Sequence, residues 1–111
     1  MVQQVPDTFR EAMLALPQAF KAERAAGATA VVQIVAGGAE PGDWVITING
    51  GKCAVEEATA PSPSVTINTP SEIWLKILRR ELDGATAFMS GQFTFTGDMG
   101  ILMQMGSWFE Q

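Results

Sequence analysis

The sequence predicts an α+β fold. Apolar residues recur at helical spacing near both ends of the chain, the spacing drops to two between them, and turn-forming Gly and Pro residues separate the period-two runs. At 111 residues the whole chain, 1–111, is expected to form one domain, long enough to bury a real core.

Each element follows from local chemistry. Thr8 with Glu11 three residues later is a capping box, and Phe9, Met13, Leu16 and Phe20 share one helical face. The spacing predicts an amphipathic helix over residues 8 to about 25, closed by Gly27, with a kink or division at Pro17. "TAVVQIVAG" and "DWVITING" then read as strands joined by the turn-rich "GGAEPG", and Asn49-Gly50 is a two-residue hairpin signal leading into "KCAVEEA". These three strands make an antiparallel meander. Val65 to Asn68 alternates as a fourth strand. Thr69 is placed as the N-cap of the next helix, with Pro70 at its first position, Glu72 completing a capping box, and Arg79 and Arg80 at its C-terminal end. Ala85 to Ser90 reads as a short helix ended by Gly91, "QFTFT" as a fifth strand with Phe93 and Phe95 on one face, and Asp98 as the cap of a last helix.

That last helix, Met99 to about Phe109, carries a surplus of apolar surface. Gly100, Gln104, Ser107 and Gln111 line one narrow stripe, while Met99, Ile101, Leu102, Met103, Met105, Trp108 and Phe109 cover the remainder. A helix lying on a sheet needs an apolar arc of only about 100°. A second apolar environment is therefore expected, and core, a partner subunit and a ligand all fit it. Methionine suits an adaptable wall, because its unbranched thioether chain repacks at low cost.

Composition excludes several function classes. Seven Lys+Arg against 12 Asp+Glu give a net charge of −5, which argues against nucleic acid and against electrostatic docking on anionic lipid. Membrane contact is expected to be transient at most. No apolar run approaches the roughly 20 residues of a membrane span, the N-terminal stretch lacks the pattern of a secretory signal, and one Cys makes no internal disulfide. A reducing cytoplasm is the expected compartment.

The segment "AFMSGQFTFTGDMGILMQM" resembles the C-terminal signature of the sterol carrier protein type 2 family: a small apolar pair before a Gly, a strand, then Gly-Asp-Met and an apolar helix. The N-terminal helix, the "GDWVITINGGKCAVEEA" hairpin and the "PSVTINTPSEIWLKIL" step occur in that family's order, so the resemblance covers residues 8 to 109. It implies a five-stranded, mainly antiparallel sheet covered on one side by helices, with an apolar tunnel between them that binds fatty acid, phospholipid, sterol-like or prenyl compounds. It implies no chemical step. Carried onto this chain, it assigns Phe88, Met89 and Phe93 to the tunnel wall, and Met99, Met103 and Met105 to its lining or lid. Trp44 closes part of the tunnel from the second strand, and Ile46, Leu102 and Trp108 complete the lipid-binding set. Where many relatives carry Lys this chain has Gln92, Thr94 and Gln104, which disfavours an acyl-CoA phosphate or an anionic membrane, and Met103 stands where some relatives present Gln to the ligand, which favours a weakly polar one. The C-terminal "WFEQ" lacks the peroxisomal address of eukaryotic members, as expected of a free-standing bacterial member.

The residues themselves offer no chemistry. With no His and no Tyr the commonest general base, Ser-His pairs and most zinc sites are missing. Cys53 stands alone in a strand, where it reads as a small hydrophobe, and the adjacent Glu56 and Glu57 point to opposite faces. Neither "GGAEPG" nor "NGGK" has the spacing of a phosphate loop. No catalytic residue, metal site or cofactor is expected. Trp44, Ile46 and Ile48 share a strand face that serves equally as core or as cavity wall, and Trp74 with Ile77 and Leu78 reads as core. Three functions remain open: a lipid carrier, an accessory module presenting a polyisoprenoid or quinone precursor to enzymes, and a homodimerisation module with a filled core. Monomer and homodimer both stay open.

Overall fold

A computed structural model describes residues 8–25, 27–79 and 81–109, with the side chains of residues 106 and 107 left aside. The elements run α1 (Phe9–Ala19), β1 (Ala30–Gly37), β2 (Gly42–Asn49), β3 (Lys52–Glu56), β4 (Val65–Pro70), α2 (Ser71–Leu78), α3 (Gly84–Met89), β5 (Thr94–Gly97) and α4 (Met99–Trp108).

Thr8 caps α1 as expected, its Oγ1 accepting the Glu11 N–H at 3.1 Å, and Phe9, Ala12, Met13 and Leu16 form the buried stripe. The helix is shorter than its spacing predicts. It stops at Ala19, not near residue 25, because Pro17 supplies no N–H in the last turn and Phe20 turns extended. The next N–H, of Lys21, donates to the Trp108 carbonyl at 2.6 Å, so the chain leaves α1 to meet the end of α4.

The sheet order is β3-β2-β1-β4-β5. The meander β1-β2-β3 is antiparallel, β1 pairs parallel with β4 (Val32↔Val65, Ile34↔Ile67), and β5 pairs antiparallel with β4. The expected mainly antiparallel sheet is thus present, with one parallel pair at its centre. The hairpin turn sits one residue later than the Asn49-Gly50 signal suggests. Asn49 pairs with Lys52, leaving Gly50 and Gly51 as the two turn residues with φ of +60° and +76°. A tight turn of this kind needs positive φ at both positions, and the frame that puts a glycine at each avoids Cβ strain.

Ala30, Val32, Ile34 and Ala36 of β1, Trp44, Ile46 and Ile48 of β2 and Val65 and Ile67 of β4 project to one face. There they join Phe9, Met13, Leu16, Trp74, Met105 and Trp108 in a single core. The opposite face is crossed by the β3–β4 connection. Gln33, buried between Val32 and Ile34 but pointing the other way, ties that connection down: its Nε2 donates to the Trp44 and Ala58 carbonyls at 3.0 and 3.1 Å, and its Oε1 accepts the Ala60 N–H at 2.6 Å.

The predicted start of α2 requires correction. Thr69 is not its N-cap and Pro70 is not its first residue. Parallel pairing of Thr69 with Ala36 and of Pro70 with Gly37 keeps both residues extended, so the helix begins at Ser71. Glu72 completes no capping box. The Thr69 hydroxyl instead donates to the Pro70 carbonyl at 3.0 Å, and Ser71 Oγ accepts the Glu40 N–H at 2.8 Å. The Glu40 carboxylate in turn accepts the Phe9 N–H at 2.7 Å, so one residue of the β1–β2 turn holds the starts of both helices. Arg79 follows α2, with its Nε 3.0 Å from Glu81, while Arg80 lies outside the described residues.

Candidate functional site

The last third of the chain builds an aromatic and methionine-rich surface on the edge of the core. Asp83 caps α3, its carboxylate accepting both the N–H and the hydroxyl of Thr86 at 3.0 Å, which holds that carboxyl below the usual carboxylate range. Backbone bonds from Gly91 to the Phe88 carbonyl and from Gln92 to the Ala87 carbonyl fold the chain back after α3. Ala87 is buried as a consequence, Phe88 lies half-buried and Met89 faces solvent, 85% exposed.

Phe88 is the hinge of an aromatic cluster. Its ring lies 5.6 Å from Phe93 and 5.3 Å from Phe95, and Phe93 in turn meets Trp74 edge-on at 5.9 Å. The sharing of Phe88 by Phe93 and Phe95 agrees with their expected common face. Trp74 is 6% exposed, and its buried indole Nε1 has no hydrogen-bond partner among the described residues.

Helix α4 follows at once. Asp98 caps it as expected, its Oδ1 accepting the Ile101 N–H at 3.2 Å, while the Asp98 N–H donates to the Ser64 carbonyl at 3.0 Å and fixes the helix to the start of β4. Met105 and Trp108 are buried and Ile101, Leu102 and Phe109 are half-buried against the core, with Phe109 5.7 Å from Phe20. Met99 and Met103 face outward, 48% and 75% exposed. Gly100 and Gln104 of the predicted polar stripe are exposed; the Ser107 side chain and Gln111 lie outside the described residues.

The assigned set therefore divides. Phe93, Met105 and Trp108 are buried, Phe88 and Leu102 sit at the boundary, and Met89, Met99 and Met103 stand at the surface. Trp44 and Ile46 lie in the same core, but the ring contacts of Trp44 are with Phe9, edge-on at 6.3 Å, and with the Arg10 guanidinium at 5.4 Å, at the α1 end. Sequence reasoning left out Phe95 and treated Trp74 as plain core. The alternation of Phe93 and Phe95 was a signal for the first; nothing local marks an indole N–H without an acceptor. A separate open depression of about 450 Å³ lies where β1 and β4 end, lined by Val35 to Gly38 and Asn68 to Pro70, and none of the assigned residues borders it.

Charge is sparse around these residues. Arg10 pairs with Glu57 at 2.9 Å and Arg79 with Glu81. Burial pushes the Cys53 thiol up to about 11, so it stays protonated at neutral pH and is a poor nucleophile. Among the described residues no helix is long and apolar enough to cross a membrane, and no group of three or more His, Cys, Asp or Glu stands ready for a metal ion.

A family model described as the SCP-2 sterol transfer family matches residues 11–110. No curated protein sequence matches the chain. Among solved structures, palmitated SCP2L2 from Aedes aegypti superposes on 97% of this chain and 96% of its own, with a TM-score of 0.76 at 20% identity. The sec-alkylsulfatase Pisa1 from Pseudomonas sp. superposes on 86% of this chain with a TM-score of 0.74 at 20% identity, yet this chain spans only 15% of that enzyme's length. A double mutant of the same sulfatase gives a TM-score of 0.77 at 21% identity over 97% of this chain and 17% of its own. The ubiquinone synthesis protein UbiJ-SCP2 superposes on 90% of this chain and 84% of its own, with a TM-score of 0.61 at 16% identity. At such identities these likenesses speak for the fold.

Proposed function

For a chain that belongs to the SCP-2 sterol transfer family, a family of lipid binding and transfer, we propose non-catalytic carriage of an apolar lipid, held between the sheet and the helices near the Phe88 cluster and α4. One observation supports this most: α4 buries one apolar face in the core and still presents Met99 and Met103, one turn apart, outward. Exposed large apolar groups gathered on one part of a surface mark a place where something apolar docks. Methionine side chains adapt to a ligand of variable shape, and the half-buried Phe88, in ring contact with Phe93 and Phe95, offers such a ligand further apolar surface. The high pKa of Cys53 and the lack of His and Tyr fit binding without a chemical step.

Native mass spectrometry of freshly purified protein, followed by extraction and identification of bound compounds, tests the reading. A monomer with near-stoichiometric lipid is the expected result; a lipid-free dimer, its Met face spent on a second copy, overturns it. Met103→Lys sharpens the test. At 75% exposure the substitution changes stability by no more than about 0.5 kcal/mol, so lost lipid would report the site and not unfolding. Unchanged lipid in the folded variant would remove Met103 from the lining.

A second reading draws on the likeness to UbiJ-SCP2, whose name ties that protein to ubiquinone synthesis: the same apolar site would present a prenylated quinone precursor to enzymes. It predicts a prenyl compound in the extract and an enzyme retained with the protein, where the carrier reading predicts lipid alone.

A further inference from the structure

Trp74 poses a problem that an apolar core does not solve. Trp74 is only 6% exposed, and its buried indole N–H finds no acceptor among the described residues. A buried donor left without a partner loses its hydrogen bond to water and gains nothing in return, which is why native cores rarely keep one. Phe would fill a similar space without that cost. The neighbours offer aromatic surface: Phe93 meets the indole edge-on, and beyond it lie Phe88 and Phe95. A missing acceptor at the base of the cluster is the mark of a site completed by a ligand.

We propose that Trp74 is a specificity-determining residue of the lipid site, its Nε1–H donating to an uncharged carbonyl oxygen of the bound lipid. The inference rests on the carrier reading and adds to it a polar contact point and a ligand class. An indole donates and never accepts, so it selects an oxygen acceptor over a hydrocarbon or an N–H group. The indole carries no charge, so it offers an ionised carboxylate beside Phe93 no cation to offset its burial. Arg10 and Arg79 are held by Glu57 and Glu81. An ester or quinone carbonyl therefore suits the position better than a carboxylate.

Matched ligands test it: methyl palmitate, hexadecane and palmitate at pH 8, each delivered from the same cyclodextrin carrier, scored by displacement of a fluorescent lipid probe. Wild type should prefer methyl palmitate, and Trp74→Phe should weaken that ligand about 5- to 10-fold while leaving hexadecane unchanged, the loss of one net hydrogen bond. On the unaltered protein, the Trp74 indole N–H proton resonance should move downfield with methyl palmitate and stay with hexadecane. That readout does not depend on how the variant folds. Equal binding of the ester by wild type and Trp74→Phe, or an indole resonance that ignores the ester, overturns the assignment of Trp74 and leaves the carrier reading intact. Failure of wild type to bind any of the three ligands overturns the carrier reading and this inference together.

Discussion

Gly97 holds β5 and α4 to the rest of the sheet, and replacing it with Ala should loosen both. Its φ is +107°, outside the range that L side chains adopt readily, and an added Cβ would lie 2.5 Å from the Ser64 carbonyl oxygen and 2.9 Å from the Val65 Cα. These are backbone atoms, so no side chain can swing away. Holding a residue in such a conformation costs about 1–3 kcal/mol. Pushing the strands apart also strains the Asp98 N–H bond to Ser64, worth about 1 kcal/mol net. The sum for Gly97→Ala is about 3 kcal/mol, a shift of roughly two orders of magnitude in the folding constant. Gly27→Ala is the control. Gly27 has φ of +78° with nothing within 4 Å of a built Cβ, so that change should carry backbone strain alone, about 1 kcal/mol. Equilibrium urea unfolding of the three proteins, compared at equal m-values, measures the difference directly. A Gly97→Ala variant no less stable than Gly27→Ala would refute the reasoning, since the close approach to Ser64 would then carry no energy. Because Asp98 caps α4, Gly97→Ala should also reduce the lipid retained on purification.

Other consequences are cheaper to test. Gln33→Leu removes the clamp on the β3–β4 connection and leaves the Ala60 N–H and the Ala58 carbonyl to find water; a loss of about 2–3 kcal/mol is expected by urea unfolding, and a neutral result would say that the connection holds itself. The Cys53 thiol, with a pKa of about 11, should react slowly with iodoacetamide at pH 7.5 and speed up only as pH climbs toward that value; rapid labelling at neutral pH would show an accessible thiolate. Asp83 has a folded-state pKa below its ordinary 3.8, so its cap on α3 contributes fully above that value and fades as pH falls through the lower folded one. Asp83→Asn keeps a capping oxygen but cannot titrate, so its stability relative to wild type should rise below pH 4 and change little above pH 5, which acid unfolding curves would reveal.

What the sequence made legible was whatever rests on neighbours in the chain. Thr8, Asp98 and the period-two runs act within a few residues, and the caps and strands they predict are present. The errors lie where a distant partner decides. Thr69-Pro70-Ser71-Glu72 carries a sound local helix start, yet pairing with Ala36 and Gly37 holds two of those residues in the sheet. The bond from the Lys21 N–H to the distant Trp108 carbonyl draws the chain away after α1 for the same kind of reason, whereas the break near Pro17 was legible locally. Glu40 was invisible as a cap because its two helices begin 31 residues away on either side. An N-cap motif describes a competition, and sequence shows one contestant.

The candidate site obeys the same division. On α4 the residues turned to the core, Ile101, Leu102, Met105, Trp108 and Phe109, span about 120° at 100° per residue, close to the arc one packed face requires. That face does not account for Met99 and Met103: at helical spacing Met99 falls about 60° beyond Leu102 and Met103 about 100° beyond it, the latter nearly opposite the core and next to the stripe of Gly100 and Gln104. Met99 thus extends the core face past Leu102, while Met103 faces away from it. A lipid could reach the core past Met99 and Leu102, whereas Met103, opposite the core, can only cover such a lipid or meet another surface. The family match puts the carrier reading ahead of dimerisation, and Met103→Lys separates the two: a lipid covered by Met103 should be lost from a monomer, whereas a dimer seated on Met103 should dissociate, with the core undisturbed either way.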